Sequence, residues 1–246
     1  MIKSLSVVIP FFNESKRINK SLGKIKKFIT KNKKLRIEII LVNDGSADSS
    51  SEVINTFLKK NRSLKSKLKI LNLKQNLGKG GALKKGVLAS KFDWILTSDM
   101  DLSVDLFELN KWIKKGELNF NCEIFFGSRE LKDSVVITKF YRRFLGIFFR
   151  IFSDLVLGIK QRDTQCGFKL YKKSAARKIF KDLISTGFEH DLELVLLAQR
   201  NSFEIIELPV HWVHMPGSKL NIIFDPIKML LGIFKIRISY FNKLKY

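Results

Sequence analysis

Five short apolar runs within the first 130 residues constrain this chain more than any other feature. They cover 5–11, 37–42, 68–73, Trp94–Thr97 and 123–126, and all are rich in Ile, Leu, Val or Phe. Runs of this length, apolar on both faces, suit strands buried inside a parallel sheet. Between the first two, Ile18, Leu22, Ile25 and Phe28 recur at three- and four-residue spacing and mark one face of a helix. Helical periods are also expected over 48–58 and 80–89. Alternating β and α elements predict an α/β chain, a mostly parallel twisted sheet flanked by helices, with ligands at the carboxyl ends of its strands.

After Gly127 the pattern changes. Residues 140–157 read as an aromatic-rich helix, 163–171 as a strand-loop segment, 189–200 as a helix, 204–213 as a strand and 225–243 as a terminal helix. With 246 residues there is ample chain for a substantial core. No repeat or low-complexity linker divides it. The expected organisation is one catalytic-type domain over 1–220, including an interfacial helix at about 138–158, and a C-terminal amphipathic membrane-contact helix over 221–246.

Four polar segments follow strands. Ile9-Pro10-Phe11-Phe12-Asn13-Glu14 ends the first; its Asn or Glu can cap the next helix or bond a nucleotide base. Val42-Asn43-Asp44-Gly45-Ser46-Ala47-Asp48 ends the second. It is an ordinary turn by composition, with Asp44 expected to be exposed and able to accept from a base N–H or a ribose hydroxyl, and Asp48 to cap the next helix. Asn76-Leu77-Gly78-Lys79-Gly80-Gly81-Ala82 resembles a phosphate cradle at a helix start, although its spacing is not that of a P-loop. Ser98-Asp99-Met100-Asp101 follows Trp94–Thr97. Two carboxylates one residue apart repel unless a cation lies between them, and hard oxygen ligands beside a diphosphate suit Mg²⁺ or Mn²⁺. Taken alone, this last segment also fits an acidic surface turn.

Taken in order and spacing, the four segments resemble glycosyltransferase family 2, whose members have the GT-A, Rossmann-like fold. Gly127-Ser128-Arg129, the run from Asp163 through Gln165 and Cys166 to Lys169, and Pro216-Gly217-Ser218-Lys219-Leu220 are similar to its dolichyl-phosphate glucosyltransferase branch. The resemblance covers roughly Ser6 to Tyr240. It implies an inverting hexosyltransferase that moves glucose from UDP-glucose to a polyprenyl or dolichyl phosphate. It also implies roles. Pro10, Glu14, Asp44 and Lys79 line the nucleotide-sugar pocket together with Asp99. Asp99 and Asp101 hold the metal and Arg129 acts with them in catalysis. Arg129 with Arg142 or Arg143 faces the lipid phosphate, and Asp163, Gln165 and Lys169 border the sugar and acceptor. Eukaryotic members of the branch carry an N-terminal membrane anchor, whereas this sequence opens directly on its first strand.

A phosphomonoester with a second pKa near 6 is already an anionic nucleophile at neutral pH, so that chemistry asks for cations rather than a general base. His190, His211 and His214 are accordingly expected to be structural. The charge balance agrees with anionic partners: 46 Lys and Arg against 23 Asp and Glu give +23. Nucleic acid is the rival partner. Neither interleaved exposed aromatics nor an RNA- or DNA-binding signature accompanies the charge, so no nucleic acid is expected. A mannosyltransferase using GDP-mannose is the rival within the enzyme class, and a non-catalytic membrane-surface protein is the rival outside it. No signal peptide is expected, and no stretch has the ~18 uninterrupted apolar residues of a spanning helix. Peripheral attachment at the cytoplasmic face of a membrane is expected. A homo-oligomer or membrane-protein partner is left open. Cys122 and Cys166 have neither metal-ligand nor CxxC spacing and are expected to be buried, inert thiols.

Overall fold

The structure is a computed structural model that describes residues 2–137, 151, 153–215 and 224–243, with side chains outside 224–229 and 241–243. Arg142, Arg143, the 216–220 segment and most of the expected 140–157 helix lie outside the described residues.

The five apolar runs are strands: β1 (Ser4–Phe11), β2 (Arg36–Asn43), β3 (Leu68–Asn72), β4 (Trp94–Thr97) and β5 (Ile124–Ser128). They are followed by β6 (Val135–Ile137), β7 (Lys169–Lys172), β8 (Ile205–Pro209) and β9 (His211–Val213). The helices are α1 (Ile18–Lys31), α2 (Ser50–Lys60), α3 (Gly78–Leu88), α4 (Glu108–Lys115), α5 (Lys173–Asp182), α6 (His190–Arg200) and α7 (Phe224–Lys243).

Seven strands form one sheet in the order β3-β2-β1-β4-β7-β5-β8, while β6 and β9 form a small parallel pair. Every neighbour pair in the large sheet is parallel except those made by β7, which runs antiparallel between β4 and β5. The chain moves from β1 outward through β2 to β3, then returns to place β4 on the other side of β1. That reversal opens a crevice beyond the carboxyl ends of β1 and β4, the usual place for a ligand in such sheets.

Side-chain alternation splits the core into two layers. Leu5, Val7 and Ile9 of β1 meet Ile18, Leu22, Ile25 and Phe28 of α1 on one face. Val8, with Ile40 and Val42 of β2, faces α3, α5 and α6 on the other. The 204–213 segment, read as one strand, is two: β8 joins the large sheet and β9 pairs with β6. Both cysteines are buried free thiols, and burial pushes the Cys166 thiol up to about 12.

The terminal helix is partly core. Ile233 and Ile236 are buried in the second core layer, and Gly232, between them and Leu231, is buried too. Leu231, Phe234 and Ile238 are 50–61% exposed. Spacing alone did not separate these two apolar faces, one packed and one bare. Among the described residues, no helix is long and apolar enough to cross a membrane.

Candidate active site

The strand-end segments are locked to one another before any ligand is considered. Asn13 adopts a left-handed φ of 53°, a conformation Asn tolerates better than most side chains. From there its Oδ1 accepts the amides of Ala47 at 2.8 Å and Asp48 at 3.2 Å, while its own N–H donates to Ser46 Oγ at 2.9 Å. The turn after β1 is thereby fastened to the turn after β2. Asp48, expected to cap α2, stands one residue before the Ser49 N-cap; its Oδ1 accepts from Ser50 N–H at 3.0 Å in a local turn.

Two expectations are corrected here. Asp44 is not exposed: it is 4% accessible, and its Oδ1 accepts from Leu77 N–H at 2.7 Å. Burial pushes its carboxyl up from the ordinary value, against the pull of the Leu77 and Gly78 amides. The amides of the Gly-Lys-Gly-Gly segment are likewise engaged within the protein. Gly78 N–H goes to Asn76 Oδ1 at 3.0 Å, and Gly80 N–H goes to the Thr186 carbonyl at 2.7 Å. The backbone at the start of α3 is therefore a packing surface for the 184–188 segment rather than an anion cradle. The cationic side chain, Lys79, is what that segment offers.

Lys79 Nζ lies 2.6 Å from Asp99 Oδ1. Burial opposes its charge, yet Asp99 and Asp191 hold the ammonium well above its ordinary pKa. Asp101 Oδ1 accepts from the Ser103 amide at 3.0 Å and its hydroxyl at 2.9 Å. Desolvation and the neighbouring Asp99 charge push the Asp101 carboxyl up. A carboxylate held this close to a second one, Asp101 beside Asp99, suits a divalent cation. Among the described residues no three His, Cys, Asp or Glu side chains gather. A metal held by Asp99 and Asp101 would therefore complete its shell with donor diphosphate oxygens and water, and the residues fit it on those terms.

Glu14 is buried, and both its oxygens are taken by Arg17, Nε to Oε2 and Nη2 to Oε1. The hydrogen bond to Glu14 raises the Arg17 pKa against burial, with Asp101 and Asp99 adding to it. Arg17 Nη1 is buried without a hydrogen-bond partner among the described residues. Sequence reasoning passed over Arg17, although its i,i+3 spacing from Glu14 marks the pair. Pro10 is buried within β1, in register with Val42.

The second half of the site differs more from expectation. Arg129 does not offer a free fork to an acceptor: Nε and Nη2 grip Asp163 at 2.7 and 2.8 Å, and the Arg129 amide adds a third bond at 2.8 Å. Asp163 also accepts the amides of Gln165 and Cys166 at 3.1 Å, so it organises its own loop. Burial alone would raise the Asp163 carboxyl, but Arg129 outweighs it and holds it low. That loop delivers Gly167 against Asp99, where an added Cβ would meet Asp99 Oδ2 at 2.4 Å. Lys169, expected beside the sugar, is 1% exposed and ion-paired with buried Asp191 beneath the Phe126 ring. A lysine this deep persists only when paired.

His190 is wholly buried, with Nδ1 2.7 Å from the Gly187 carbonyl, and burial lowers its pKa. Asp191 was missed. The signal was present: helix α6 is apolar around its whole circumference, so the carboxylates of Asp191 and Glu193 had to be buried and satisfied.

Strand-end carboxylates paired with cations thus lie over the switch point of a mostly parallel sheet, where such folds bind their ligands. The chain belongs to glycosyltransferase family 2, which matches residues 6–180. It is 38% identical to the dolichyl-phosphate beta-glucosyltransferase of Dictyostelium discoideum, over 96% of this chain and 74% of that protein. It is 34% identical to the Mus musculus protein of the same name, over 97% of this chain and 76% of its relative. The fold is also that of a Mycobacterium tuberculosis glucosyl-3-phosphoglycerate synthase solved with Mn²⁺, UDP and phosphoglyceric acid. That likeness has a TM-score of 0.66 at 15% identity and covers 96% of this chain and 78% of the other.

Proposed function

We propose that this chain transfers glucose from UDP-glucose to a dolichyl or related polyprenyl phosphate with inversion, giving a β-linked lipid-phosphate sugar. The observation that carries the reading is the Lys79–Asp99–Asp101 cluster at the switch point, in a chain so similar to dolichyl-phosphate beta-glucosyltransferases.

Mg²⁺ or Mn²⁺ on Asp99 and Asp101 would supply Lewis-acid charge to the departing diphosphate. Lys79 supplies a second cation. When the diphosphate arrives, the Lys79 ammonium can turn from Asp99 to a phosphate oxygen. The acceptor phosphate is already ionised at neutral pH, so no side chain has to take a proton. His190, being buried and neutral, is suited to structure and not to that task. Arg129 keeps its remaining nitrogen for the acceptor, aligned by Asp163.

The enzyme works peripherally on a membrane in this proposal. Its support is exposed apolar surface: Leu231 and Ile238 on α7, and Ile151 and Leu155, which are 59% and 83% exposed. Lys235 and Arg237 flank the α7 stripe, as suits a helix lying among anionic headgroups.

A donor panel of UDP-glucose, UDP-galactose, UDP-N-acetylglucosamine and GDP-mannose with a short polyprenyl phosphate tests the chemistry. Preference for UDP-glucose and a β anomer by NMR are expected. Preference for GDP-mannose, or an α product, would overturn it. For the membrane, Leu231→Glu with Ile238→Glu should abolish flotation with anionic liposomes without lowering Tm, because both side chains point away from the core. Unchanged flotation would remove α7 from the contact.

A further inference from the structure

Helix α6 carries a second buried carboxylate that acts away from the Lys169–Asp191 pair. Glu193 is 1% exposed. Its Oε1 accepts from Ile184 N–H at 2.9 Å and its Oε2 from Ser185 N–H at 2.6 Å. These charge-assisted bonds fix the turn between α5 and α6. One residue further, the Thr186 carbonyl accepts from Gly80 N–H at 2.7 Å and Gly81 N–H at 3.4 Å. Phe188 then presents its ring 6.0 Å from Lys79 Nζ. The 184–188 segment therefore sets where the first turn of α3 sits, and with it the lysine that meets Asp99.

The terminal helix reaches two residues that hold this segment: Glu189, which accepts from Gly187 N–H at 3.1 Å, and Glu193. A Cβ added at Gly232 would meet Glu189 Cβ and Cγ at 2.8 Å, so only glycine allows this approach. The Tyr240 hydroxyl donates to Glu193 Oε1 at 3.3 Å, long for such a bond but aimed at the oxygen that also holds Ile184.

We propose that Glu193 is a positioning residue for donor binding, holding the 184–188 segment that seats Lys79 on Asp99, and that α7 bears on this segment through Gly232 and Tyr240. The inference rests on the reading of Asp99 and Lys79 as the donor site. A glutamine at 193 keeps the shape but has one acceptor oxygen, and its amide group would face an N–H donor to donor. One of the two turn amides then loses its partner.

The test measures UDP·Mn²⁺ affinity by calorimetry on the full chain, beside steady-state kinetics and thermal melts. Glu193→Gln should weaken UDP·Mn²⁺ binding on the order of tenfold while the lipid-phosphate KM stays put, the size expected for one lost charge-assisted bond. Glu193→Asp, with both acceptors retained, should recover part of that loss. A folded Glu193→Gln protein that binds UDP·Mn²⁺ as the parent does would overturn the proposal. Should Glu193→Gln fail to fold, Gly232→Ala decides: weakened UDP affinity at unchanged lipid KM supports the proposal, and unchanged affinity overturns it. Lys79→Ala separates the positioning role from the donor site beneath it. If it leaves UDP·Mn²⁺ binding intact, the donor-site reading itself has failed; if it weakens binding and Glu193→Gln does not, only the positioning role has.

Discussion

Residues 4–101 and residues 123–213 contribute to one sheet, yet they bring side chains to the site by different means. In the first stretch Glu14, Asp44 and Asp99 follow a parallel strand by one to three residues. They are fixed by groups of neighbouring turns and helix starts: Arg17 on Glu14, Leu77 N–H on Asp44 and Lys79 on Asp99. In the second stretch the side chains are fixed by buried ion pairs between residues far apart in sequence. Arg129 and Asp163 are 34 positions apart, and Lys169 and Asp191 are 22 apart. The difference teaches that the first half carries its chemistry on a fold that stands without it, whereas in the second half the charged groups are themselves part of what holds the fold.

The sharpest contrast should appear between Asp101 and Lys169. Asp101→Asn keeps shape and removes a ligand charge, so turnover should drop by on the order of 10²-fold or more at nearly unchanged Tm. Full activity in excess EDTA would sink the metal assignment. Lys169→Met leaves Asp191 buried without its ion-pair partner, with only His190 and the field of Lys79 to offset its charge, and should cost about 3–5 kcal/mol of stability in urea unfolding. The double variant Lys169→Met with Asp191→Leu should regain much of that loss, since a packed apolar pair replaces an ionic one. A Lys169→Met protein as stable as the parent would break the comparison.

Arg129→Lys sharpens it on a smaller scale. A lysine cannot reproduce the two-pronged grip on Asp163, so stability should fall by about 1.5–3 kcal/mol. Acceptor KM should rise as the 163–167 loop loosens, with UDP affinity nearly intact. If UDP affinity collapsed instead, Arg129 would belong to the donor side.

Legibility followed the same division. The strands β1 to β5, the helical face of α1 and the strand-end carboxylates could be read because hydrophobic period and turn chemistry are local. The antiparallel insertion of β7 could not, because nothing within Lys169–Lys172 says which strands it will join. Arg129 and Lys169 stood out as charges in an apolar context, but their buried partners, Asp163 and Asp191, were not legible: such a residue can serve a ligand, a buried partner or both, and only the partner's position decides. For α7, periodicity found an amphipathic helix and missed that Ile233 and Leu231 face opposite environments.

Glu38 offers the smallest effect and the test closest to the boundary between the two halves. It lies in β2, in register with Ser6 of β1, toward the amino ends of the strands and away from the site. It is a long-range node inside the otherwise locally organised half: Ser6 Oγ donates to it at 2.6 Å, Lys91 N–H at 2.7 Å, and Lys69 Nζ lies 3.1 Å away. Burial alone would raise its carboxyl, but the Ser6 hydroxyl, the Lys91 amide and Lys69 outweigh burial and hold it below the ordinary value. A carboxylate depressed on folding stabilises the protein above its unfolded pKa, about 4.3 for Glu, and loses that contribution as pH falls through the lower folded value. Glu38→Gln should therefore cost about 1 kcal/mol at pH 7, because the amide oxygen still accepts one bond while the charge is lost. Activity at pH 7 should be unchanged. The gap between the urea midpoints of parent and variant should hold from pH 7 to pH 5 and narrow only below pH ~4. A gap that stayed constant into that acid range would mean the charge contributes nothing, leaving a hydrogen-bonded node whose worth lies in pinning the loop before β4.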